Sequence, residues 1–252
     1  MAVDPSRAEA IQRRLAECRE LEQQFWDSKG VEMYRSAQAG QIAGYSFEVN
    51  FQQLITIVSA HFHLADKGKL RDWHEREPLH QYLFEASRRL QNFLASASAL
   101  VAQTACFVKR SYRGRSNVLK EYEQGRRERL DSKPVIAFTS KLRNLFLHET
   151  IPFLQSVRGG SEATGRDRFR LELDLQKVNV QSWSAAAGEY IATHGTKIDL
   201  QLYLIEHYEA VRQFYGWFDE RNEEWSHPEW AKSLALHGAA LNSRAHIYDF
   251  DL

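Results

Sequence analysis

The longest helical pattern in the chain runs from Pro78 to about Tyr112, and it limits the possible folds more than any other stretch. Its apolar and small residues recur at alternating steps of three and four over roughly three heptads. These positions are Ala86, Leu90, Phe93, Ala97, Leu100, Thr104 and Phe107. A helix with so long an apolar stripe must bury it against other helices. The pattern therefore predicts a helical bundle.

Further stretches have helical spacing together with residues that typically begin or end a helix. Proline can occupy a first helical turn, and glycine commonly follows a last one. The predicted helices are Pro5 to about Ser28, Phe47 to about Ala65, 134–150, Ser182 to about His194, Lys197 to Glu224, and Pro228 to about Ala245. Residues 29–46 contain three glycines and are predicted to form a connector.

The helix at 197–224 has its own stripe, which we expect to pack on the 86–107 stripe. Its positions are Ile198, Leu202, Ile205, Tyr208, Val211, Tyr215 and Phe218.

A change of period after residue 150 indicates a small β element. Leucines and Phe169 alternate with polar residues from Phe169 to Gln176, which is typical of a half-buried strand. Its natural partner is Ile151–Val157, across a turn-rich loop. The predicted fold is mainly α: an elongated helical bundle with an inserted hairpin at about 151–177. Residues 1–78 are expected to pack on or extend a bundle formed by residues 79–252.

Composition restricts the classes of function. The chain has 252 residues, with 33 Lys and Arg against 33 Asp and Glu. Because the net charge is zero, any nucleic-acid contact must come from local patches. Cys18 and Cys106 form no paired motif, which fits a reducing compartment and predicts no cysteine-based zinc site. We expect a cytoplasmic protein without a membrane span, a signal peptide, a metal or a cofactor.

The segment Lys133–Phe153 combines a buried stripe with a polar cluster at a helix end. Pro134 suits the first turn, and Pro152 disfavours helix at the residue before it. Arg143, Asn144 and His148 follow late in this helix. At about 100° per residue, Asn144 and His148 share a face, and Arg143 lies about 100° from Asn144. An arginine, an amide and a titratable imidazole are thus predicted to flank one another, unless the basic residues only bond the last carbonyls of the helix.

This Arg-Asn-x-x-x-His sequence, within LRNLFLHETIP, resembles the R-x(4–6)-H motif of the HEPN superfamily. The resemblance covers about residues 80–226. It implies an all-helical domain that is either a metal-independent endoribonuclease of toxin or phage-defence type, or an inactive helical partner. It also implies Arg143, Asn144 and His148 as catalytic residues and RNA as the substrate. The resemblance further implies a homodimer with the motif at its interface. It also implies a partner protein, either a neutralising antitoxin or a component of a defence system.

Two observations leave alternatives open. The R-x(4–6)-H motif with Asn directly after Arg occurs a second time, as Arg221, Asn222 and His227, with one more residue before the histidine. We prefer the first match because its helix has a strong buried stripe and a basic approach. The basic stretch 109–133 is either a phosphate-binding surface, with Tyr112 and Tyr122 as stacking residues, or a solvated charged loop. The residues predicted to bind RNA are Lys109, Arg110, Arg113, Arg115, Arg126 and Arg127.

Overall fold

A computed structural model of the chain contains eight α-helices and a small antiparallel sheet among the residues that it describes. These are residues 5–28, 30–66, 76–148, 153–160, 167–225 and 228–248. The helices are α1 (Pro5–Trp26), α2 (Val31–Asp66), α3 (Arg76–Ser111), α4 (Ser116–Arg126), α5 (Pro134–His148), α6 (Ala185–His194), α7 (Leu200–Trp225) and α8 (Pro228–Tyr248). The prediction of a mainly α fold with a small hairpin is confirmed.

The chain divides into two compact units, each built from separate segments. Unit 1 comprises Met1–Gln41, Gln103–Leu119 and Arg221–Leu252, and unit 2 comprises Ile42–Ala102 and Lys120–Glu220. The predicted division between residues 78 and 79 lies inside a segment of unit 2. Packing of residues 1–78 on a separate bundle therefore stays a prediction.

In unit 1, α1 packs against α8. The Phe25 ring lies 5.0 Å from that of His237, and the hydroxyls of Ser28 and Ser233 are 3.0 Å apart. The Sγ atom of Cys18 lies 3.7 Å from the carbonyl oxygen of Ala240. The sparse apolar positions of α1 thus face a partner from the far end of the chain.

In unit 2, the predicted stripe of α3 is buried from Ala86 to Leu100 and packs on α7, whereas Phe107, in unit 1, is only half-buried. Phe93 is fully buried and lies edge-on to the ring of His207, with 5.2 Å between centroids. The stripe predicted for α7 is only partly correct. Ile198, Val211 and Phe218 are buried, but Leu202 and Ile205 are 56% and 37% exposed. The buried residues are Leu200, Tyr203, Leu204, His207, Ala210, Val211, Phe214 and Phe218. These positions also recur in steps of three and four, and they are buried by contacts with α3, α4, α5 and α6.

The sheet has the order β1-β2-β3. Strand β1 (Phe153–Gly160) pairs antiparallel with β2 (Asp167–Asp174), and β2 pairs with the short β3 (Lys197–Asp199). The hairpin prediction is confirmed, although its first residues, 151 and 152, lie outside the described part of the chain. Strand β3 was predicted as helix. Its pairing with β2 outweighs helical propensity at those three residues.

Two stretches predicted to be irregular are helical. Residues 31–46 belong to α2, so the predicted connector at 29–46 is wrong. An ideal Cβ at Gly44 would lie 4.0 Å from the Leu100 side chain, which shows that α2 approaches α3 closely there. The charged stretch 109–133 contains α4 and a π-helical turn at Arg127–Asp131 rather than a loop. Val118 and Tyr122 of α4 are buried, and this burial stabilises a helix that local composition did not favour.

Candidate active site at the end of helix α5

Helix α5 is held to unit 2 by one aromatic face. Phe138 is fully buried, with its ring 4.8 Å from that of Tyr190 and 5.4 Å from that of Tyr203. Leu142 and Leu145 continue the buried stripe towards the end of the helix. The predicted stripe is therefore confirmed, and it fixes which face of α5 meets solvent.

A buried hydrogen-bonded pair also ties α5 to α7. The Thr139 hydroxyl donates to the Val135 carbonyl at 2.7 Å. Because its single hydrogen is used there, the Tyr203 hydroxyl, 2.9 Å away, must donate to Thr139 Oγ1. Burial raises the pKa of Tyr203, so this hydroxyl remains a donor at physiological pH.

The three motif residues lie on the outer side of α5. Asn144 and His148 are exposed, and Arg143 is half-buried. Within the described part of the chain, none of the three side chains forms a hydrogen bond or an ion pair. In particular, Arg143 and His148 do not bond the last carbonyls of their own helix there. Leu147 is 58% exposed on the same side. The motif is thus open to a substrate or to another chain.

The second motif match is engaged in contacts within unit 1. Arg221 forms an ion pair with Glu224. Asn222 Oδ1 accepts a hydrogen bond of 2.8 Å from the Tyr112 hydroxyl. His227 lies outside the described residues. Two of its three polar groups therefore have structural partners, in contrast to those of the first match.

The six residues predicted to bind RNA are divided between the two units. Lys109, Arg110, Arg113 and Arg115 belong to unit 1, and Arg126 and Arg127 belong to unit 2. Four of them are exposed: Lys109, Arg110, Arg113 and Arg127. Arg115 donates to the Trp225 carbonyl oxygen, and Arg126 pairs with Asp131 at 3.0 Å. RNA binding by these residues stays a prediction, and two of the six already have protein partners.

The two tyrosines expected to stack on bases are buried. Tyr112 is 3% exposed and lies edge-on to Trp225, with centroids 5.6 Å apart. Tyr122 is 2% exposed and packs against Phe218 at 5.9 Å. The alternative in which they stack on RNA does not fit this burial. Tyr112 follows the end of α3, Tyr122 lies in α4, and both rings pack against α7.

A second polar cluster, which the sequence analysis missed, lies where α6 ends beside α7. The Tyr190 hydroxyl donates to Glu206 Oε2 at 2.8 Å, and His194 Nε2 lies 3.2 Å from Glu206 Oε1. Burial and then Glu206 raise the pKa of Tyr190 strongly. A cavity of about 330 Å³ adjoins the cluster and is also lined by Lys133 and Glu209.

The hydrogen bonds of this cluster connect α6 to α7 and leave no nitrogen of His194 for acid–base catalysis. His194 Nδ1 lies 3.0 Å from the Tyr190 carbonyl oxygen, which can only accept. Both ring nitrogens of His194 are therefore engaged, and neither is free to receive a substrate proton. In the sequence, only the four-residue spacing of Tyr190 and His194 hinted at this contact, because Glu206 comes from the next helix.

Among the described residues, no group of three His, Cys, Asp or Glu side chains is arranged to hold a metal ion. None of the described helices is both long and apolar enough to cross a membrane. Comparison of the chain with models of known protein families, with curated proteins and with solved structures found no match. The resemblance to the HEPN superfamily therefore rests on the sequence of α5 and its surroundings.

Proposed function

We propose that the protein is a metal-independent endoribonuclease, with Arg143, Asn144 and His148 as its catalytic residues. One observation carries the proposal: the three side chains lie in the last turns of α5, reach solvent, and have no partner among the described residues. Polar groups that stabilise a helix end usually bond its carbonyls. A cluster that makes no such bonds remains available for substrate chemistry.

The proposed reaction is cleavage by the ribose 2′-hydroxyl. Its oxygen attacks the adjacent phosphorus as the bond from phosphorus to the 5′-oxygen of the next nucleotide breaks. The products are a cyclic phosphate and a free 5′-hydroxyl. His148 acts as a base for the attacking hydroxyl or as an acid for the leaving oxygen. Arg143 neutralises the charge that develops on the phosphate, and Asn144 orients the phosphate or the imidazole.

We place the site at the first motif match because its side chains are unpaired. To act on RNA, Asn222 would have to release the Tyr112 hydroxyl, and Arg221 would have to leave Glu224. Removing a partner from a half-buried hydroxyl costs about 1–3 kcal/mol. The first match binds substrate without that cost.

The cleavage assay uses single-stranded and structured RNA in EDTA with the purified full-length protein. We expect cleavage by the wild type, and at least a hundredfold slower cleavage by Arg143→Ala and His148→Ala, as for lost general acid–base or charge-stabilising groups. Arg221→Ala and His227→Ala are the matched controls and should change the rate little. Circular dichroism checks that each variant is folded. Activity that survives in His148→Ala but is lost in His227→Ala would move the site to the second match.

The same proposal includes a homodimer with the motif at its interface. Cleavage requires one proton to be removed and one to be delivered, and each chain has one histidine in the motif. Two copies facing each other across a two-fold axis would supply both functions. The exposed Leu147, next to His148, provides apolar surface for such a contact. Light scattering is the test, and a stable monomer that still cleaves RNA would exclude the two-chain site.

The alternative function is a non-catalytic helical module that docks a protein partner, such as an antitoxin or defence protein. The exposed leucine also favours this alternative, because an apolar side chain beside unpaired polar groups suits a protein interface. The EDTA assay separates the two functions. A folded wild-type protein that cleaves no RNA, alone or with cellular RNA as substrate, would favour the docking module.

A further inference from the structure

Helix α5 contains positive charge and no carboxylate of its own. Its fifteen residues include Lys141 and Arg143 but no Asp or Glu. Neither cation forms an ion pair within the described part of the chain. Some other cations of unit 2 are paired, for example Arg88 and Arg89 with Glu85 and Arg126 with Asp131. In a chain of zero net charge, α5 therefore has a local excess of positive charge.

Helical geometry places Lys141 on the same side of α5 as the proposed catalytic histidine. Lys141 and His148 are seven residues apart, so their directions differ by about 20°. Asn144 lies between them along the axis and about 40° from His148. The buried Leu142 and Leu145 lie about 100° and about 40° from Lys141, so Lys141 is half-buried at the edge of the buried stripe. A strand bound at His148 and Asn144 thus continues past Lys141 if it follows this side of the helix.

The distance along the axis decides what Lys141 can contact. Seven residues correspond to a rise of about 10.5 Å. A stacked strand advances about 3.4 Å per nucleotide, so the two side chains are about three nucleotides apart. Lys141 is therefore too far from the reacting phosphate to stabilise its charge directly. It is suited to holding the strand in register.

We infer that Lys141 is a positioning residue that binds a substrate phosphate about three nucleotides from the bond that is cleaved. This inference rests on the proposed ribonuclease function and extends it: the substrate is a strand of at least four nucleotides. A lysine ammonium contacts phosphate as a point charge and carries no sequence information. Lys141 should therefore contribute to affinity on every RNA sequence and leave the chemical step unchanged.

The binding test uses a fluorescent, mixed-sequence 12-nucleotide strand with 2′-O-methyl groups, which cannot be cleaved by 2′-hydroxyl attack. One phosphate contact contributes about 0.7 to the slope of log affinity against log salt for a single strand. Lys141→Gln should lower the slope by about 0.7, which corresponds to roughly fivefold weaker binding at 0.1 M salt and equal binding at 1 M. Lys141→Arg should bind like the wild type. Lys197→Gln, at an exposed position of β3, is the matched control and should also bind like the wild type.

The kinetic test uses the cleavable RNA with the same variants. We expect Lys141→Gln to raise KM about fivefold at 0.1 M salt with kcat unchanged. On a two-nucleotide substrate, Lys141→Gln and the wild type should be equal. If the wild type cleaves RNA but Lys141→Gln keeps its salt slope and KM, the positioning role is overturned while the ribonuclease function stands. A lower kcat at unchanged KM also overturns it. If the wild type neither binds nor cleaves RNA, both proposals fail.

Discussion

The buried imidazole of His207 predicts a loss of stability in mild acid. The ring is 2% exposed, and its neighbours are the rings of Phe47, Phe93 and Tyr203. Its Nδ1 atom is buried without a hydrogen-bond partner among the described residues. Burial among apolar groups penalises the charged form and lowers the pKa of His207 from an ordinary value of 6.5 to about 3.

The sign and size of the stability change follow from the protons that His207 binds in the folded and unfolded states. Above pH 6.5 the imidazole is neutral in both the folded and the unfolded state, so its protonation does not change the free energy of unfolding. Between pH 6.5 and 3 the unfolded state binds a proton that the folded state does not, so stability falls with pH. The loss is about 2 kcal/mol at pH 5 and approaches about 5 kcal/mol below pH 3.

The substitution His207→Leu removes the titrating group at similar volume. Urea unfolding followed by tryptophan fluorescence at pH 7.5, 6 and 5 gives the stability of both proteins. Carboxylates titrate in both, so the difference between them isolates His207. We expect the variant to gain about 2 kcal/mol relative to the wild type between pH 7.5 and 5. His80→Leu, at an exposed position, is the matched control and should follow the wild type.

Two results would refute this reasoning. One is a parallel pH dependence of wild type and His207→Leu. The other is a nuclear magnetic resonance titration in which the His207 ring protons shift with a midpoint near 6.5 in the folded protein. Either result would mean that water or a hydrogen-bond partner reaches the ring, so burial would not govern its charge.

Two further predictions concern packing in unit 2. Gly125→Ala should destabilise the protein by about 1–3 kcal/mol, because a Cβ there would overlap the indole of Trp217. Gly216→Ala should instead stabilise it by about 0.5–1 kcal/mol, because nothing lies within 4 Å of a Cβ at that position. Equal unfolding midpoints in urea would contradict this difference. Tyr203→Phe should cost about 1 kcal/mol, and Thr139→Val should cost more, because it leaves the Tyr203 hydroxyl buried without an acceptor. A Thr139→Val variant as stable as Tyr203→Phe in thermal unfolding would show that the hydroxyl finds another acceptor.

The sequence by itself determined most helices and the hairpin. Helices α1, α5 and α8 begin at the prolines where the first-turn rule placed them. Helix α6 ends at His194, directly before Gly195, whose φ of 80° suits glycine. Alternation over residues 169–176 identified β2. The buried face of α5 was also predictable, because its apolar residues occupy one side only. The position of the motif on the opposite face followed from the same period.

Tertiary structure alone decided the features that depend on neighbours distant in sequence. Helix α7 has apolar residues on more than one side, so periodicity permitted two stripes. Packing on α5 and α6 buried Tyr203, and packing on α3 buried His207, while Leu202 stayed exposed. The burial of Tyr112 and Tyr122 likewise required partners from α7. Local pattern reports which residues share a face of a helix. Which face of a helix is buried depends on contacts with residues distant in sequence, and no local pattern encodes those contacts. In α7 such contacts determined which of the two apolar sides is buried.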